Sequence, residues 1–180
     1  TERDGHDDAD PVVILSVGRA VEKKGYDLLL SAFARLPPEL SWRFVHIGGG
    51  ALQSKLADQA ERLGIAPRIR WLGPQSHERV ITHYRVADVF VLASRVAKNG
   101  DRDGLPNVLM EAQSQGLPCI STEISGIPEL VTDNETGLLS PADDVETLVR
   151  NLQALITNPV RRRALGQAGN GNVRASFSFD

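Results

Sequence analysis

The stretch "DGLPNVLMEA" (103–112) places two carboxylates, Asp103 and Glu111, on either side of an expected helix start. Between them come Gly104, Leu105 and Pro106, then Asn107 and Val108. A proline suits the first helical position, because the N–H it lacks would have no intrahelical partner there. The amides of Asn107 and Val108 would then lie unpaired at the positive end of the helix dipole, where an anion binds. At helical spacing Asp103 and Glu111 stand roughly 12 Å apart. That layout suits a molecule with hydroxyl-rich groups at both ends and negative charge between them, as in a nucleoside diphosphate sugar. On these residues alone a structural reading stays open, with one acid stabilising a helix start and the other on a wet face.

A second stretch, "GRAVEKKG" (18–25), follows the first strand-like run and carries Arg19, Lys23 and Lys24 between Gly18 and Gly25. It has neither G-x-G-x-x-G nor G-x-x-x-x-G-K-[ST], so it is not a glycine cradle for a dinucleotide or a P-loop. It offers cationic side chains suited to a phosphate or diphosphate. Taken alone, the stretch reads more readily as a surface loop with solvated lysines.

Other chemistries find little support. His6, His46, His77 and His83 are scattered, with no i,i+4 pair and no cysteine cluster, so no metal-ligand spacing occurs. No G-x-S-x-G elbow is present. Asp103 and Glu111 are too far apart, with too large a ligand between them, for a glycosidase acid and nucleophile. "IGGGAL" (47–52) reads as a tight strand-to-helix turn, and "SGIPELV" (125–131) as a turn and short helix near the site.

These residues need a scaffold, and the pattern supplies one. The 180 residues, 41% hydrophobic and 24% charged, suffice for one domain with a sizeable core. A net charge of −3 argues against a nucleic-acid surface, and the only basic run, Arg161-Arg162-Arg163, reads as a solvated helix face. The single cysteine, Cys119, lies in an apolar run and fits a buried thiol in a reducing compartment. No run of about 18 apolar residues and no signal-peptide pattern occurs. "TERDGHDDAD" (1–10) reads as a linker or edge segment.

From residue 12 strands and helices alternate. The runs at 12–17, 43–48, 68–73, 88–93, 118–122 and 136–140 are strand-like. Helical stripes include Leu29, Ala32, Phe33 and Leu36, then Leu52, Leu56, Ala60 and Leu63 with Gly64 as a stop. Further helices are expected at 76–86 opening on Ser76, at 106–115, at 143–157 capped by Asp143 or Asp144, and at 159–176 opening on Pro159. The class is α/β: a Rossmann-like, doubly wound parallel sheet of six strands, in the common order 3-2-1-4-5-6. Its switch point falls between strands 1 and 4, so the loops after residues 17 and 93 form the ligand crevice.

Together "VGRAVEKKGYDLLLSAFARL", "WLGPQSHERVITHYRVADVFVLAS", "DGLPNVLMEAQSQGLPCISTEISGIPELV", "TGLL" and "FSFD" resemble the retaining glycosyltransferases of the GT-B fold, family 4 of the sequence-based classification (glycosyltransferases group 1). They run in the family's order over about residues 11–180. The insertion "RVAKNGDR" (95–102) is similar to that of members that build bacterial exopolysaccharides. The resemblance implies that this is the donor-binding half of a two-domain enzyme that moves a hexosyl group from a nucleoside diphosphate sugar to a glycan or lipid-linked acceptor. Arg19 and Lys24 would hold the diphosphate, Glu111 the ribose, and Asp103 the donor sugar near its reacting carbon. Gly18, Gly104, Leu105 and the amides of Asn107 and Val108 would line the donor site, and Gln75 would meet the base through its main chain.

The same resemblance implies a cytoplasmic enzyme without metal or resident cofactor, working at the inner face of the membrane. The acceptor would bind an N-terminal domain outside this sequence, which could also make peripheral membrane contact. Binding without efficient transfer is therefore expected of these residues alone. Two departures stand out: Asp103 occupies a position where the family usually has glutamate, and Pro106 removes an amide some members use. The alternatives are a nucleotide-sugar epimerase of the same fold and a non-catalytic nucleotide-sugar-binding module. Which base, sugar and acceptor are used is not readable from the sequence.

Overall fold

A computed structural model describes residues 2–176, so "FSFD" lies outside the described residues. Six parallel strands form one sheet: β1 (Val12–Val17), β2 (Trp42–Ile47), β3 (Ile69–Trp71), β4 (Val89–Val91), β5 (Cys119–Thr122) and β6 (Leu138–Ser140). Their order is β3-β2-β1-β4-β5-β6, as expected. Register runs from Val12↔Trp42 to Val17↔Ile47 on one side of β1, with Ile14↔Val89 on the other. The helices are α1 (Tyr26–Ala34), α2 (Gln53–Arg62), α3 (His77–Val86), α4 (Asn107–Ser114), α5 (Ile127–Leu130), α6 (Val145–Thr157) and α7 (Pro159–Ser176).

The β-branched and aromatic runs form strands because helices cover both faces of the sheet and leave no polar side to alternate towards. Ile14, Leu15, Phe44, Phe90, Val91, Cys119 and Ile120 are all buried. Phe33 of α1 stacks on Trp42 of β2 with ring centroids 4.6 Å apart. Ser76 caps α3 by accepting a hydrogen bond from the Arg79 amide. Asp144, rather than Asp143, caps α6 through the Thr147 amide. Asp143 instead adopts a left-handed φ of 64° and turns its carboxylate to Arg95.

Four expectations change. The outer strands are shorter than the apolar runs, β3 and β6 keeping three residues each. Leu63 is the C-cap of α2, still with helical backbone angles, yet it is exposed and does not share the buried face of Leu56 and Ala60. Arg162 is not solvated. It is 5% exposed, and its guanidinium donates to the carbonyls of Leu155 and Ile156 in the last turn of α6 and to the carbonyl of Arg3. It thereby satisfies acceptors that a helix C-terminus leaves unpaired.

The fourth change concerns the acidic N-terminal segment, which packs on the domain instead of forming a loose linker. Arg3 pairs with Asp10 and Asp88, and Ser41 donates its amide to the Gly5 carbonyl and its hydroxyl to Asp8. Charge made residues 1–10 look like a linker; for the described residues 2–10, partners elsewhere in the chain decide otherwise.

Candidate functional site

The loops after β1 and β4 leave adjacent strands at the switch point, and several main-chain contacts lock them together. Gly25 takes φ 68°, and a Cβ there would overlap the carbonyl oxygen of Ala93 at the end of the β4 run. The Arg95 amide donates to the Lys23 carbonyl at 3.0 Å, and the Lys98 amide to Glu22 Oε1 at 2.9 Å. Arg95 itself sits between Asp27, at 3.0 Å from both carboxylate oxygens, and Asp143. The 95–102 insertion is thus stapled onto the cationic loop, and the chain that leaves it delivers Asp103 to the lysines.

Lys24 Nζ donates to Asp103 Oδ2 at 2.5 Å, and Lys23 Nζ lies 3.3 Å from Oδ1 and 3.4 Å from Asp101. Lys24 and Asp103, expected to grip two parts of a ligand, therefore grip each other here. The reason is charge: a carboxylate beside two ammonium groups in a partly buried crevice takes the place an anion would take. Burial pushes the Asp103 carboxyl upward, but hydrogen bonds and charge from Lys24 and Lys23 outweigh it and hold its pKa below the ordinary value. Lys23 is correspondingly raised by its hydrogen bond to Asp103.

A pH dependence follows. Because the folded pKa of Asp103 is depressed, its contribution to stability is complete above the unfolded value of about 3.9 and is lost as pH falls through the folded value. The stability difference between the wild type and Asp103→Asn is expected to stay constant from neutral pH to about 4 and to close below it. Urea unfolding across pH checks this, and a gap that closes near neutrality would remove the clamp as its cause.

Beneath the β1 loop lies a fully buried floor. His46 Nε2 is 2.9 Å from the Gly18 carbonyl, and its ring meets Tyr26 edge-on at 4.6 Å. The Tyr26 hydroxyl pairs with Ser16 Oγ, and a Cβ on Gly18 would come within 2.9 Å of that hydroxyl. Burial lowers the pKa of His46 despite its bond to Gly18, so the ring is neutral. In "IGGGAL", Gly48 (φ 135°) and Gly50 (φ 147°) press against Gly18 and Ala20, and Ala20 donates to the Gly49 carbonyl at 2.7 Å. The glycines make a close-packed turn, as their sequence suggested. Arg19 is exposed and makes no side-chain hydrogen bond or ion pair among the described residues.

Helix α4 starts one residue later than expected. Pro106, with φ −65° and ψ 120°, occupies the N-cap and not the first turn. An extended ψ is what separates a cap from a helical residue. The Leu109 amide returns to the Pro106 carbonyl at 3.1 Å, and those of Asn107 and Val108 head the helix. Gly104 packs its carbonyl on the Gly126 amide at 2.8 Å, so "SGIPELV" buttresses this turn, with α5 directly behind it. Leu105 packs against the core.

Two turns along α4, Glu111 is half-buried, and the Tyr84 hydroxyl lies 3.2 Å from its Oε2 and 3.3 Å from the Val108 carbonyl. Asn107, Met110, Glu111 and Ser114 line a cleft of about 350 Å³. A hollow of about 420 Å³ lined by Arg3, Asp88 and Arg162 lies instead at the amino ends of the strands, away from the crevice where such sheets bind ligands. Gln75 turns its side chain back onto the Leu72 carbonyl at 2.8 Å, and among the described residues its side chain makes no hydrogen bond to the other candidate residues.

The structure thus brings Gly18, Lys24, Asp103, Gly104 and the head of α4 to one crevice, and places Glu111 along the same helix. Lys23, Arg95, Tyr84 and His46 enter as new participants. Lys23 was legible as a loop cation. Arg95 opens the 95–102 insertion of the crevice loop itself, whereas Tyr84 and His46 carry no motif, since each reaches the site from another element.

A six-stranded parallel sheet in this order is Rossmann-like, and the structural neighbours identify it as one half of a GT-B fold. The family model for glycosyl transferases group 1 matches residues 2–171, and the chain belongs to that family. It is 32% identical over 170 residues to the lipopolysaccharide core biosynthesis glycosyltransferase LpsE of Rhizobium meliloti (strain 1021), covering 94% of this chain and 47% of that protein. Amylovoran biosynthesis glycosyltransferase AmsK of Erwinia amylovora is 36% identical over 146 residues, covering 81% of this chain and 36% of AmsK. The chain therefore spans less than half the length of these relatives. Among solved structures, sucrose-phosphate synthase from Thermosynechococcus elongatus superposes with a TM-score of 0.84 at 28% identity, over 94% of this chain and 42% of that one. Anabaena HepE in complex with UDP and glucose superposes at 0.82 and 21% identity, over 94% and 45%, a likeness of fold.

Among the described residues no helix is long and apolar enough to cross a membrane, and no group of three or more His, Cys, Asp or Glu residues could hold a metal ion.

Proposed function

We propose that this chain is the donor side of a retaining glycosyl transfer, binding a nucleoside diphosphate sugar across the β1–β4 crevice. The observation that carries this reading is the head of α4, an anion-directed helix start with Asp103 and two lysines before it and Glu111 along it. The diphosphate would lie over the amides of Asn107 and Val108, with Arg19 and Lys24 around it. Glu111 would accept from the ribose hydroxyls and Asp103 from the sugar. As the bond to the anomeric carbon breaks, negative charge grows on the departing diphosphate, and preorganised cations and amides stabilise it. In this reading those groups do the work that a divalent metal does elsewhere.

On binding, Lys24 exchanges Asp103 for phosphate while Lys23 keeps hold of the carboxylate. Asp103, one methylene shorter than glutamate, is thereby held ready for the sugar. The acceptor, a glycan or a lipid-linked saccharide, would bind to the larger part of its relatives' length that this chain does not span. The relatives include proteins named as GDP-mannose-dependent mannosyltransferases, and the structural neighbours include UDP complexes, so the base needs testing directly.

Calorimetric titration of the chain with UDP, GDP and ADP, with and without a divalent metal, tests this. One nucleotide is expected to bind without metal, and Glu111→Ala to weaken it by ~1.5–3 kcal/mol, the worth of a hydrogen bond to a charged group. Binding that requires metal, or that ignores Glu111→Ala, would overturn the assigned roles.

A further inference from the structure

Tyr84 is 1% exposed and sits on α3, whose start is fixed by the Ser76 cap. Its ring packs 5.9 Å from Phe90 of β4, so the core holds it from behind. Only the hydroxyl reaches the site, and its one proton is shared between two acceptors of α4, Glu111 Oε2 and the Val108 carbonyl. Residues three apart lie on the same helix face, so one rigid phenol indexes both the acid and the turn that carries the Val108 amide. Glu111 Oε1 has no partner among the described residues, and Glu111 lines the adjoining cleft. Burial foremost, then the charge and hydrogen bond of Glu111, raise the Tyr84 pKa, so the phenol stays protonated and can only donate to the carboxylate.

We infer that Tyr84 is a positioning residue for ribose recognition, fixing the Glu111 carboxylate by one oxygen so that the other meets the ribose hydroxyls. This rests on the donor-site reading above and adds to it a determinant of selectivity. A glutamate on a helix surface has three rotatable bonds, and each rotamer left open is entropy to be lost on binding. A carboxylate already oriented by a buried donor discriminates a ribose from a deoxyribose more sharply, because the missing hydroxyl leaves it unpaired in a fixed place.

The test uses Tyr84→Phe, which keeps the buried ring and removes only the hydroxyl. Titrations compare UDP, GDP and ADP with their 2′-deoxy and 3′-deoxy counterparts, in the wild type, Tyr84→Phe, Glu111→Ala and the double variant. The wild type is expected to prefer the ribonucleotide, and Tyr84→Phe to shrink that preference by about tenfold. In the Glu111→Ala background Tyr84→Phe should change the preference little, since the phenol acts through the carboxylate. An unaltered preference in Tyr84→Phe, or an equal loss for ribo and deoxy ligands, would overturn the inference and leave Tyr84 a core residue. A wild type that binds none of the three nucleotides, or binds them without regard to the ribose hydroxyls, overturns the donor-site reading itself and the inference with it.

Discussion

In urea denaturation, Gly25→Ala is expected to destabilise the fold by about 2–4 kcal/mol. Gly25 stands at φ 68°, where an L-residue pays ~1–2 kcal/mol for the left-handed conformation. Its added Cβ would also overlap the Ala93 carbonyl oxygen, which is backbone and not a flexible side chain. Either the cationic loop or the end of the β4 run must shift. The first contacts at risk are the Arg95 amide on the Lys23 carbonyl and the Gly25 amide on the Glu22 carbonyl. Losing one or both adds about 1 kcal/mol each. Because these contacts aim Lys23 and Lys24 at Asp103, nucleotide affinity should fall together with stability. A Gly25→Ala protein with an unchanged denaturation midpoint would mean that the two loops are not locked at this point.

The second large effect is expected at the phosphate cations. Arg19→Ala and Lys24→Ala should each weaken nucleoside diphosphate binding by ~1.5–3 kcal/mol, and the pair by at least about 100-fold. The two are not expected to be strictly additive, because they would share one diphosphate. Their effects on the empty fold differ. Arg19 is exposed and its side chain has no hydrogen-bond or ion-pair partner among the described residues, so its loss should leave unfolding unchanged, whereas Lys24→Ala also strips one of the two cations from Asp103. Asp103→Asn separates the roles further. It frees Lys24 from a competing anion, so a bare nucleoside diphosphate should bind at least as well as to the wild type. The matching nucleotide sugar should lose its advantage. Calorimetry with both ligands reads these outcomes, and full affinity in the double variant would remove the diphosphate from this crevice.

Much of the architecture was legible along the chain. "VVILSV" reads as a strand covered on both faces because nothing in it alternates, and β1 is indeed at the centre of the sheet. Ser76 and Gly64 were readable as a cap and a stop, because capping and left-handed turns depend on a few adjacent residues. Pro106 shows the limit of such local rules. A proline tolerates both the first helical position and the N-cap, and only the packing of Gly104 against Gly126 accompanies the choice made. Arg162 shows it again, since a basic triplet carries no sign that its middle member will find three carbonyls in a gap between α6 and the N-terminal segment.

The sequence by itself determined the class of fold, the strand order expected of it, and the chemical types brought to the crevice: two acids, three cations and a helix start. Those follow from periodicity, from punctuation by glycine and proline, and from side-chain charge, all of which act over a few residues. Only the tertiary structure decided which charges meet. Asp103 and Lys24 are 79 residues apart, Tyr84 and Glu111 27, and Gly18 and His46 28. Spacing along the chain says nothing about such pairs, because parallel strands joined by helices bring distant segments together at one end of the sheet. The partner a carboxylate takes there is set by the nearest uncompensated charge or donor in a crevice of low dielectric.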